Sequence, residues 1–380
     1  MMKFVCLNSQ PKAETGSNVP HPRSAHCSAT DGINIFVFGG HNTNDRSTTE
    51  MWCFNLCTET WHRVETVGDA PSETCHMSML RSGDQLLLFG GVTEPESESR
   101  NTDIITFSLK DKTWSTLACG GQRPSARHKQ AMILHEGSLY LFGGCSSFTH
   151  GERSFYSDLW CLDLRSRAWS LLSGTDSTSD PNAPTTTLFS HNLAYHDNKL
   201  YIVGSQRGKF YSIHLRDKIY IYNMGTNKWS IHTVEGECPC DRSEYSLVQW
   251  KNEVYMCGGR RFHNIQDDLW KLDLLSLQWS QLPATLPVPT YGHSAVITPD
   301  KCMYVFGGAT HLPVRETTPD GTKRTNAAYK IWLETPSFSL QDMALGKVLA
   351  LLRDKTPETI LKLRDLGLPP NVVERLKHLE

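Results

Sequence analysis

The sequence lacks the features that mark several large classes of protein. No apolar run approaches the roughly 18 residues that a membrane-spanning helix needs, so no membrane span is expected. Neither charge is in excess, since 38 lysines and arginines stand against 40 aspartates and glutamates, and no long basic run occurs. Binding to nucleic acid is therefore not expected. The apolar run at the N-terminus is also too short for a secretory signal.

Paired C-x-x-C knuckles, which are typical of structural zinc sites, are also missing. The 12 cysteines are scattered along the chain, and the close pair Cys238-Pro239-Cys240 stands alone. We therefore expect reduced cysteines, as in an intracellular protein of the cytoplasm, the nucleus or both. No cofactor and no metal are expected.

The chain does contain a repeated unit. An alternating apolar segment ends in two glycines at Gly39-Gly40, Gly90-Gly91, Gly143-Gly144, Gly258-Gly259 and Gly307-Gly308, and a sixth copy ends in Gly204-Ser205. Tryptophans keep step with these copies at Trp61, Trp114, Trp169, Trp229 and Trp279. Aromatic and β-branched residues at period two predict strands. Paired glycines suit strand ends where the backbone needs a positive φ or a close approach.

The copies lie roughly fifty residues apart, and the unit resembles the kelch β-propeller family. That resemblance implies an all-β fold, a six-bladed kelch propeller over residues 1–335. The sixth copy has no tryptophan strand of its own, whereas Phe4-Val5-Cys6-Leu7 has the pattern of one. We therefore expect residues 3–7 to supply the outer strand of the last blade and so to close the ring.

After Pro336 the apolar period changes to that of a helix, which predicts a short α-helical module over residues 336–380. A proline at Pro357 and a glycine at Gly367 mark the start and the end of a second short helix, and a third follows Leu368. These residues are too few to bury a core of their own, so we expect them to pack on the propeller or on a partner.

Two patterns in this module resemble known binding boxes. The segment SLQDMALGKV, residues 339–348, resembles an elongin-binding box, although Ala344 stands where that family usually has cysteine. The later segment LPPNVVERL, residues 368–376, resembles a cullin-2 box. Their order after a kelch ring resembles the kelch substrate receptors of elongin–cullin-2 ubiquitin ligases. The resemblance implies that Leu340, Ala344 and Val348 bind elongin B and elongin C, and that Leu368, Pro369, Val372 and Leu376 bind cullin-2.

The face of the propeller that carries the diglycine loops is predicted to have uneven charge. The loop after Gly91 is acidic, with Glu94, Glu96 and Glu98, whereas Arg207 and Lys209 follow Gly204 and Arg260-Arg261 follow Gly259. Arg242 heads the inner strand of the fifth blade. Blades four and five are therefore expected to offer several cations to an anionic group.

The ligase resemblance also implies that substrate proteins are held by their C-termini, with glycine- or alanine-ended tails as the expected class. The planar fork of arginine can donate two parallel hydrogen bonds to a terminal carboxylate. We therefore predict that Arg260, together with Arg242 and Arg207, binds the carboxylate. Tyr245 and Tyr291 are predicted to wall the pocket and to limit the size of the last side chain.

Two other functions compete with a receptor. An enzyme would need converging metal ligands or a matched nucleophile and base. Instead, His26, His76 and His293 occupy structural repeat positions and are expected to bond to strand ends. The second alternative is a non-catalytic scaffold whose ring binds an internal surface of actin or of a signalling protein.

Overall fold

The computed structural model of this chain describes residues 2–7, 19–44, 46–93, 101–146, 154–174, 180–184, 191–204, 218–311 and 322–334, and the backbone at 188–189 and 206–207. These residues form six four-stranded antiparallel sheets, which are the blades of a propeller. Blade one contains β2 (Cys27–Thr30), β3 (Asn34–Phe38), β4 (Met51–Asn55) and β5 (Thr60–Val64). Blade two contains β6 (Ser78–Ser82), β7 (Gln85–Phe89), β8 (Ile104–Ser108) and β9 (Trp114–Leu117). Blade three contains β10 (Ala131–His135), β11 (Ser138–Phe142), β12 (Leu159–Asp163) and β13 (Ala168–Ser173).

Blades four and five each have an additional two-stranded ribbon at one end. Blade four contains β15 (Asn192–His196), β16 (Lys199–Val203), β18 (Lys218–Asn223) and β19 (Lys228–Thr233), with a ribbon of β14 (Leu188–Phe189) and β17 (Gln206–Arg207). Blade five contains β20 (Ser246–Trp250), β21 (Glu253–Cys257), β24 (Asp268–Asp273) and β25 (Gln278–Thr285), with a ribbon of β22 (Arg260–Arg261) and β23 (Asn264–Ile265).

The sixth blade combines strands from both ends of the propeller sequence. It contains β26 (Ser294–Ile297), β27 (Cys302–Phe306), β28 (Ala328–Trp332) and the N-terminal β1 (Val5–Cys6). The last pairing is antiparallel, with Val5 opposite Lys330 and Cys6 opposite Tyr329. The N-terminal strand therefore covers what would be a free edge of β28.

Aromatic side chains fill the seams between neighbouring blades. Trp114 of blade two lies 4.8 Å from Phe38 of blade one, measured between ring centroids. Trp61 of blade one lies 4.8 Å from Phe306 of blade six in the same way. Each phenylalanine immediately precedes the diglycine of its blade, so the repeated phase of tryptophan and diglycine in the sequence reflects packing between blades.

The paired glycines are required by close backbone contacts. Gly39 and Gly40 both have positive φ, at 74° and 88°. A Cβ on Gly39 would lie 2.4 Å from the carbonyl oxygen of Thr74 in the next blade, and one on Gly40 would lie 2.6 Å from that of Ser24. No larger residue fits at these two positions without moving the backbone.

The predicted all-β, six-bladed propeller is confirmed. The predicted helical module at 336–380 lies outside the described residues. Within the described ranges we find no helix of the length and hydropathy that a bilayer crossing requires. All 12 cysteines are described, and none of them forms a disulfide bond.

Candidate functional site

A ring of residues with left-handed backbone surrounds one mouth of the central channel. Ala25, His76, Lys129, Glu244 and Gly292 each lie just before the inner strand of their blade and have φ between 56° and 63°. The amide of Gly292 donates to Glu244 O at 2.7 Å, and that of Ala25 donates to Gly292 O at 2.8 Å. The amides of His76 and Lys129 continue the series at 2.9 and 3.0 Å. We call these five residues the mouth ring.

Three charged side chains meet at this mouth. Lys129 Nζ lies 3.3 Å from Glu244 Oε1, and Arg260 Nη2 lies 3.2 Å from the same oxygen. Lys129 belongs to blade three and Glu244 to blade five, so the ion pair extends past blade four. The Lys129 and Glu244 side chains are 16% and 13% exposed, whereas Arg260 is 35% exposed. We call Lys129, Glu244 and Arg260 the mouth cluster.

The electrostatics of the mouth cluster leave it with one more positive charge than negative. Burial acts to raise the pKa of Glu244, but the charges of Lys129 and Arg260 outweigh burial and hold this pKa below its ordinary value. Glu244 is therefore ionised at neutral pH. Burial, reinforced by the charge of Lys129, keeps the pKa of His76 well below 6.5. His76 consequently adds no charge at neutral pH, and the site favours an anion.

Tyr291 and Arg324 lie beside the mouth cluster. The guanidinium of Arg260 lies 5.1 Å from the centre of the Tyr291 ring, which is a cation–π contact. Tyr291 donates its hydroxyl hydrogen to His311 O at 3.2 Å. Arg324 Nε donates to Ser24 Oγ at 2.9 Å, and the charge of Arg324 acts to lower the pKa of Tyr291, which burial raises overall. Tyr291 thus supports the most exposed cation of the cluster.

Arg242, a predicted carboxylate ligand, has an internal structural role instead. Its side chain is 2% exposed, and its guanidinium donates to Asp268 Oδ2 at 2.9 Å and to Gly258 O at 3.1 Å. Asp268 also accepts a hydrogen bond from Trp270 Nε1 at 2.6 Å. The N–H donors of Arg242 are thus bonded within its own blade, and Arg242 is not part of the mouth cluster.

The same network recurs in blades one and three, which identifies it as a property of the repeat. Arg23 donates to Glu50 and to the carbonyl oxygen of Gly39, and Arg127 donates to Asp158 and to that of Gly143. In each blade a tryptophan follows the carboxylate by two residues, and its indole N–H donates a hydrogen bond to that carboxylate.

Tyr245, a predicted pocket wall, links two blades from a buried position. Its hydroxyl donates to Val203 O of blade four at 3.0 Å, and only 7% of the residue is exposed. His26 and His191 occupy the equivalent position in their blades, with Nε2 lying 3.1 Å from Phe306 O and 3.0 Å from Phe142 O. For His26 this agrees with the predicted bond to a strand end. Tyr245 consequently lies beneath the mouth rather than at its rim.

The remaining predicted residues are less fully described. Arg207 lies in β17, where its backbone pairs with Leu188, and the structure describes its backbone alone. The acidic loop with Glu94, Glu96 and Glu98 lies outside the described residues. The elongin- and cullin-binding residues also lie outside them: Leu340, Ala344, Val348, Leu368, Pro369, Val372 and Leu376.

Below the mouth ring the inner strands enclose a channel of about 390 Å³, whose lining includes His76, Lys129 and Glu244. Across the described part of the chain, no group of three or more histidine, cysteine, aspartate or glutamate residues is placed to hold a metal ion. The charged side chains of Lys129, Glu244 and Arg260 give the mouth the means for charge recognition and hydrogen bonding.

Of the predicted site residues, the structure brings Arg260 and Tyr291 together. Sequence analysis did not single out Lys129, Glu244 and Arg324, which lie beside them. A usable signal existed for two of these. Lys129 and Glu244 each lie fourteen residues before the first glycine of their blade's diglycine, as do Ala25 and His76. Superposing the repeats on the diglycine would have placed all four in one ring.

Comparison with known proteins gives consistent matches over the whole propeller. The profile of the KLHDC2/KLHL20/DRC7 Kelch-repeats domain matches residues 7–205 and 190–342. Kelch domain-containing protein 10 of Rattus norvegicus is 36% identical over 99% of this chain and 90% of its own length. The Homo sapiens protein of that name is 36% identical over 95% of this chain and 81% of its own length. The Xenopus tropicalis protein is 35% identical, with coverages of 95% and 87%.

Proposed function

This chain belongs to the KLHDC2/KLHL20/DRC7 kelch-repeat family, and from that premise we propose that it is a substrate receptor of an elongin B/C–cullin-2 ubiquitin ligase. In this proposal the mouth of the propeller holds substrate proteins by their C-termini, and the receptor itself performs no catalytic step. Its action would lie in the cytoplasm, the nucleus or both. The observation that supports the substrate half is the mouth cluster, with two cations around one carboxylate at the open end of a channel.

A single ligand carboxylate fits the charge of this cluster. A carboxylate placed against Lys129 and Arg260 would make positive and negative groups alternate around the site. It would also neutralise the net positive charge of the mouth cluster. Partial burial strengthens such pairing because less water screens it. A guanidinium has five N–H donors, and the bond to Glu244 uses one of the donors of Arg260. A terminal carboxylate is the one such group that every unmodified protein chain carries.

The ligase half of the proposal is supported by the sequence of residues 339–376. The pattern at Leu340, Ala344 and Val348 matches an elongin-binding box apart from the alanine, and a cullin-2 box pattern follows at Leu368. Order and short spacing after a propeller make the pair more specific than either pattern alone. The similarity to proteins named Kelch domain-containing protein 10 covers this segment as well, since it extends over 99% of the chain.

Amidating the C-terminus of a bound peptide is the direct test of the substrate half. A hydrogen bond to a charged partner contributes about 1.5–3 kcal/mol, so the amide should bind roughly ten- to a hundred-fold more weakly than the free acid. Glycine- and alanine-ended peptides titrated into the propeller, with fluorescence anisotropy as the readout, would measure this ratio. Arg260→Ala should lower affinity for the acid by a similar factor and should largely remove the acid–amide difference.

Arg261→Ala is the matched control, because Arg261 follows Arg260 in the same ribbon and its guanidinium lies 5.7 Å from the Phe262 ring. It should retain most of the acid–amide difference. Equal binding of acid and amide by the unmodified protein would reject recognition of C-termini and favour the scaffold hypothesis. If Arg260→Ala instead keeps the full acid–amide difference, the assignment of Arg260 as the carboxylate ligand is rejected, whereas recognition of C-termini is not.

The choice of cullin should depend on Leu368 and Pro369. Proline fixes the backbone where the predicted last helix begins, and Val372 and Leu376 are spaced to share one face of it. Replacing Leu368 and Pro369 together by alanine should release cullin-2 while elongin B and elongin C still co-purify. Affinity purification followed by blotting for all three proteins measures this outcome. Loss of all three partners would mean that the two boxes do not act separately.

A further inference from the structure

The mouth cluster holds a carboxylate of its own between its two cations. Glu244 Oε1 lies 3.3 Å from Lys129 Nζ and 3.2 Å from Arg260 Nη2. Both distances exceed the roughly 2.7–2.9 Å that is usual for a charge-assisted hydrogen bond. Within blade three, by contrast, Arg127 Nη1 donates to Asp158 Oδ1 at 2.6 Å. The carboxylate of Glu244 is therefore shared loosely between two cations rather than committed to one.

The backbone holds Glu244 at the rim of the mouth. Its φ of 57° lies in the left-handed region, and its carbonyl oxygen accepts the amide hydrogen of Gly292 at 2.7 Å. A Cβ added to Gly292 would lie 3.6 Å from Glu244 Oε2, so the second carboxylate oxygen lies beside blade six. Because its backbone is fixed in the mouth ring, Glu244 stays beside the site when a ligand binds.

The negative charge of Glu244 acts on the wall of the site as well. Burial is the main cause that raises the pKa of Tyr291, and the charge of Glu244 adds to this rise, whereas the charge of Arg260 opposes it. The ring of Tyr291 lies 5.1 Å from the guanidinium of Arg260. A ligand side chain that contacts Tyr291 would therefore also lie within the field of Glu244.

We propose that Glu244 is a specificity residue that disfavours substrates with an acidic side chain next to the terminal carboxylate. The inference rests on the proposed function, which places that carboxylate against Lys129 and Arg260. Glu244 and the terminal carboxylate then bring two negative charges to the two cations of the mouth cluster. An acidic side chain on the residue before the last would bring a third, which no further cation of the cluster balances. Like charges placed together in this way suppress binding of the wrong partner.

The test compares two labelled free-acid peptides with a glycine–serine body, one ending in glutamine–glycine and the other in glutamate–glycine. The unmodified protein should bind the glutamate peptide roughly 3- to 20-fold more weakly, the factor for two unit charges about 7 Å apart at an effective dielectric constant of about 30–60. Glu244→Gln should reduce this difference to within about twofold and should tighten binding of the glutamine peptide. Arg324 contributes equally to both proteins, because they differ at residue 244 alone. Fluorescence anisotropy would measure all four dissociation constants.

Two further variants separate the charge of Glu244 from its shape and from the net charge of the protein. Glu244→Asp keeps the charge, and aspartate tolerates the left-handed backbone, so this variant should retain most of the preference. Glu136→Gln makes the same chemical change in the turn between β10 and β11, where the side chain is 84% exposed. Strand β10 leads about 17 Å away from the mouth, twice the screening length of about 8 Å at physiological salt. Glu136→Gln should therefore leave both peptides unaffected.

Salt provides a readout that a purely structural role of Glu244 would not move. Raising the salt concentration from about 0.1 M to about 1 M shortens the screening length from about 10 Å to about 3 Å. The ratio of the two dissociation constants should therefore fall in the unmodified protein and change little in Glu244→Gln. Thermal unfolding of each variant would show that it is folded under the conditions of the titration.

The outcomes separate this inference from the proposed function. If free acids bind more tightly than their amides but Glu244→Gln keeps the preference for the glutamine peptide, the role of Glu244 is wrong and the proposed function stands. If acids and amides bind equally while the preference still depends on Glu244, recognition of the C-terminus is wrong and the role of Glu244 stands. Equal binding of the two peptides by the unmodified protein overturns the inference. So does a preference that Glu244→Asp loses as fully as Glu244→Gln.

Discussion

Replacing Arg242 by alanine is expected to lower the free energy of unfolding by about 3–5 kcal/mol, the usual cost of removing one partner from a buried ion pair. The Arg242 side chain is 2% exposed and that of Asp268 is 16% exposed, so water cannot replace the lost partner. The carbonyl oxygen of Gly258 would lose a donor as well. Urea denaturation followed by tryptophan fluorescence would measure the shift of the unfolding midpoint.

The free energy of unfolding that Arg242→Ala loses should depend on pH in a defined direction. In the unmodified protein, burial acts to raise the pKa of Asp268, but Arg242 outweighs burial and lowers this pKa below 3.8. The stability from this pair is therefore fully present above the unfolded-state pKa and is lost as the pH falls through the lower folded-state pKa. Without Arg242, burial dominates and raises the pKa of Asp268. Protonation of Asp268 then removes the buried, unpaired charge from the variant. The difference in the free energy of unfolding between the two proteins should therefore shrink below about pH 5.

Arg23→Ala and Arg127→Ala are matched tests, because both arginines make the same contacts in their own blades. All three should destabilise the propeller by similar amounts, whereas Arg260→Ala, at the partly exposed mouth, should change stability far less. An Arg242→Ala protein that unfolds at the normal midpoint yet fails to bind free-acid peptides would restore Arg242 as a ligand-binding residue.

The contrast between Arg242 and Arg260 shows what sequence can and cannot predict in this fold. The repeat period, the paired glycines and the tryptophan phase predict six blades, because each reflects a contact made identically in most blades. The segment from Phe4 to Leu7 has the pattern of the tryptophan strands and predicts an outer strand, and β1 does pair with β28. These features depend on backbone spacing and on seam packing, both of which leave a periodic trace.

The direction in which an arginine projects leaves no such trace. Arg242 and Arg260 lie at the two strand ends that meet at the mouth, and sequence position alone treats them as equal. A carboxylate two residues before the tryptophan, as at Asp268 and Trp270, was the available signal that Arg242 has a partner within its blade. The ion pair between Lys129 and Glu244 joins residues 115 positions apart, so it becomes visible once the blades are arranged in a ring.

Replacing Leu340 by alanine is expected to abolish stable recruitment of elongin B and elongin C while leaving the propeller folded. A boxed leucine that fills a partner's pocket acts as a hot spot worth roughly 2–4 kcal/mol, which corresponds to an affinity loss of about 30- to 1,000-fold. Co-purification from cells, compared with the unfolding midpoint of the same variant, would separate lost binding from lost folding. A variant that still co-purifies stoichiometrically with both elongins would reject the box.

The helix register within the box can be tested by two further substitutions. Leu340, Ala344 and Val348 are spaced to share one helical face, whereas Leu345 falls off it. Leu345→Ala removes the same atoms as Leu340→Ala and should therefore leave elongin binding largely intact. Ala344 fills less volume than the cysteine usual at this position in the box, so Ala344→Cys should be tolerated or should tighten binding. A large loss from Ala344→Cys, or an equal loss from Leu345→Ala, would mean that a different face of the helix meets the partner.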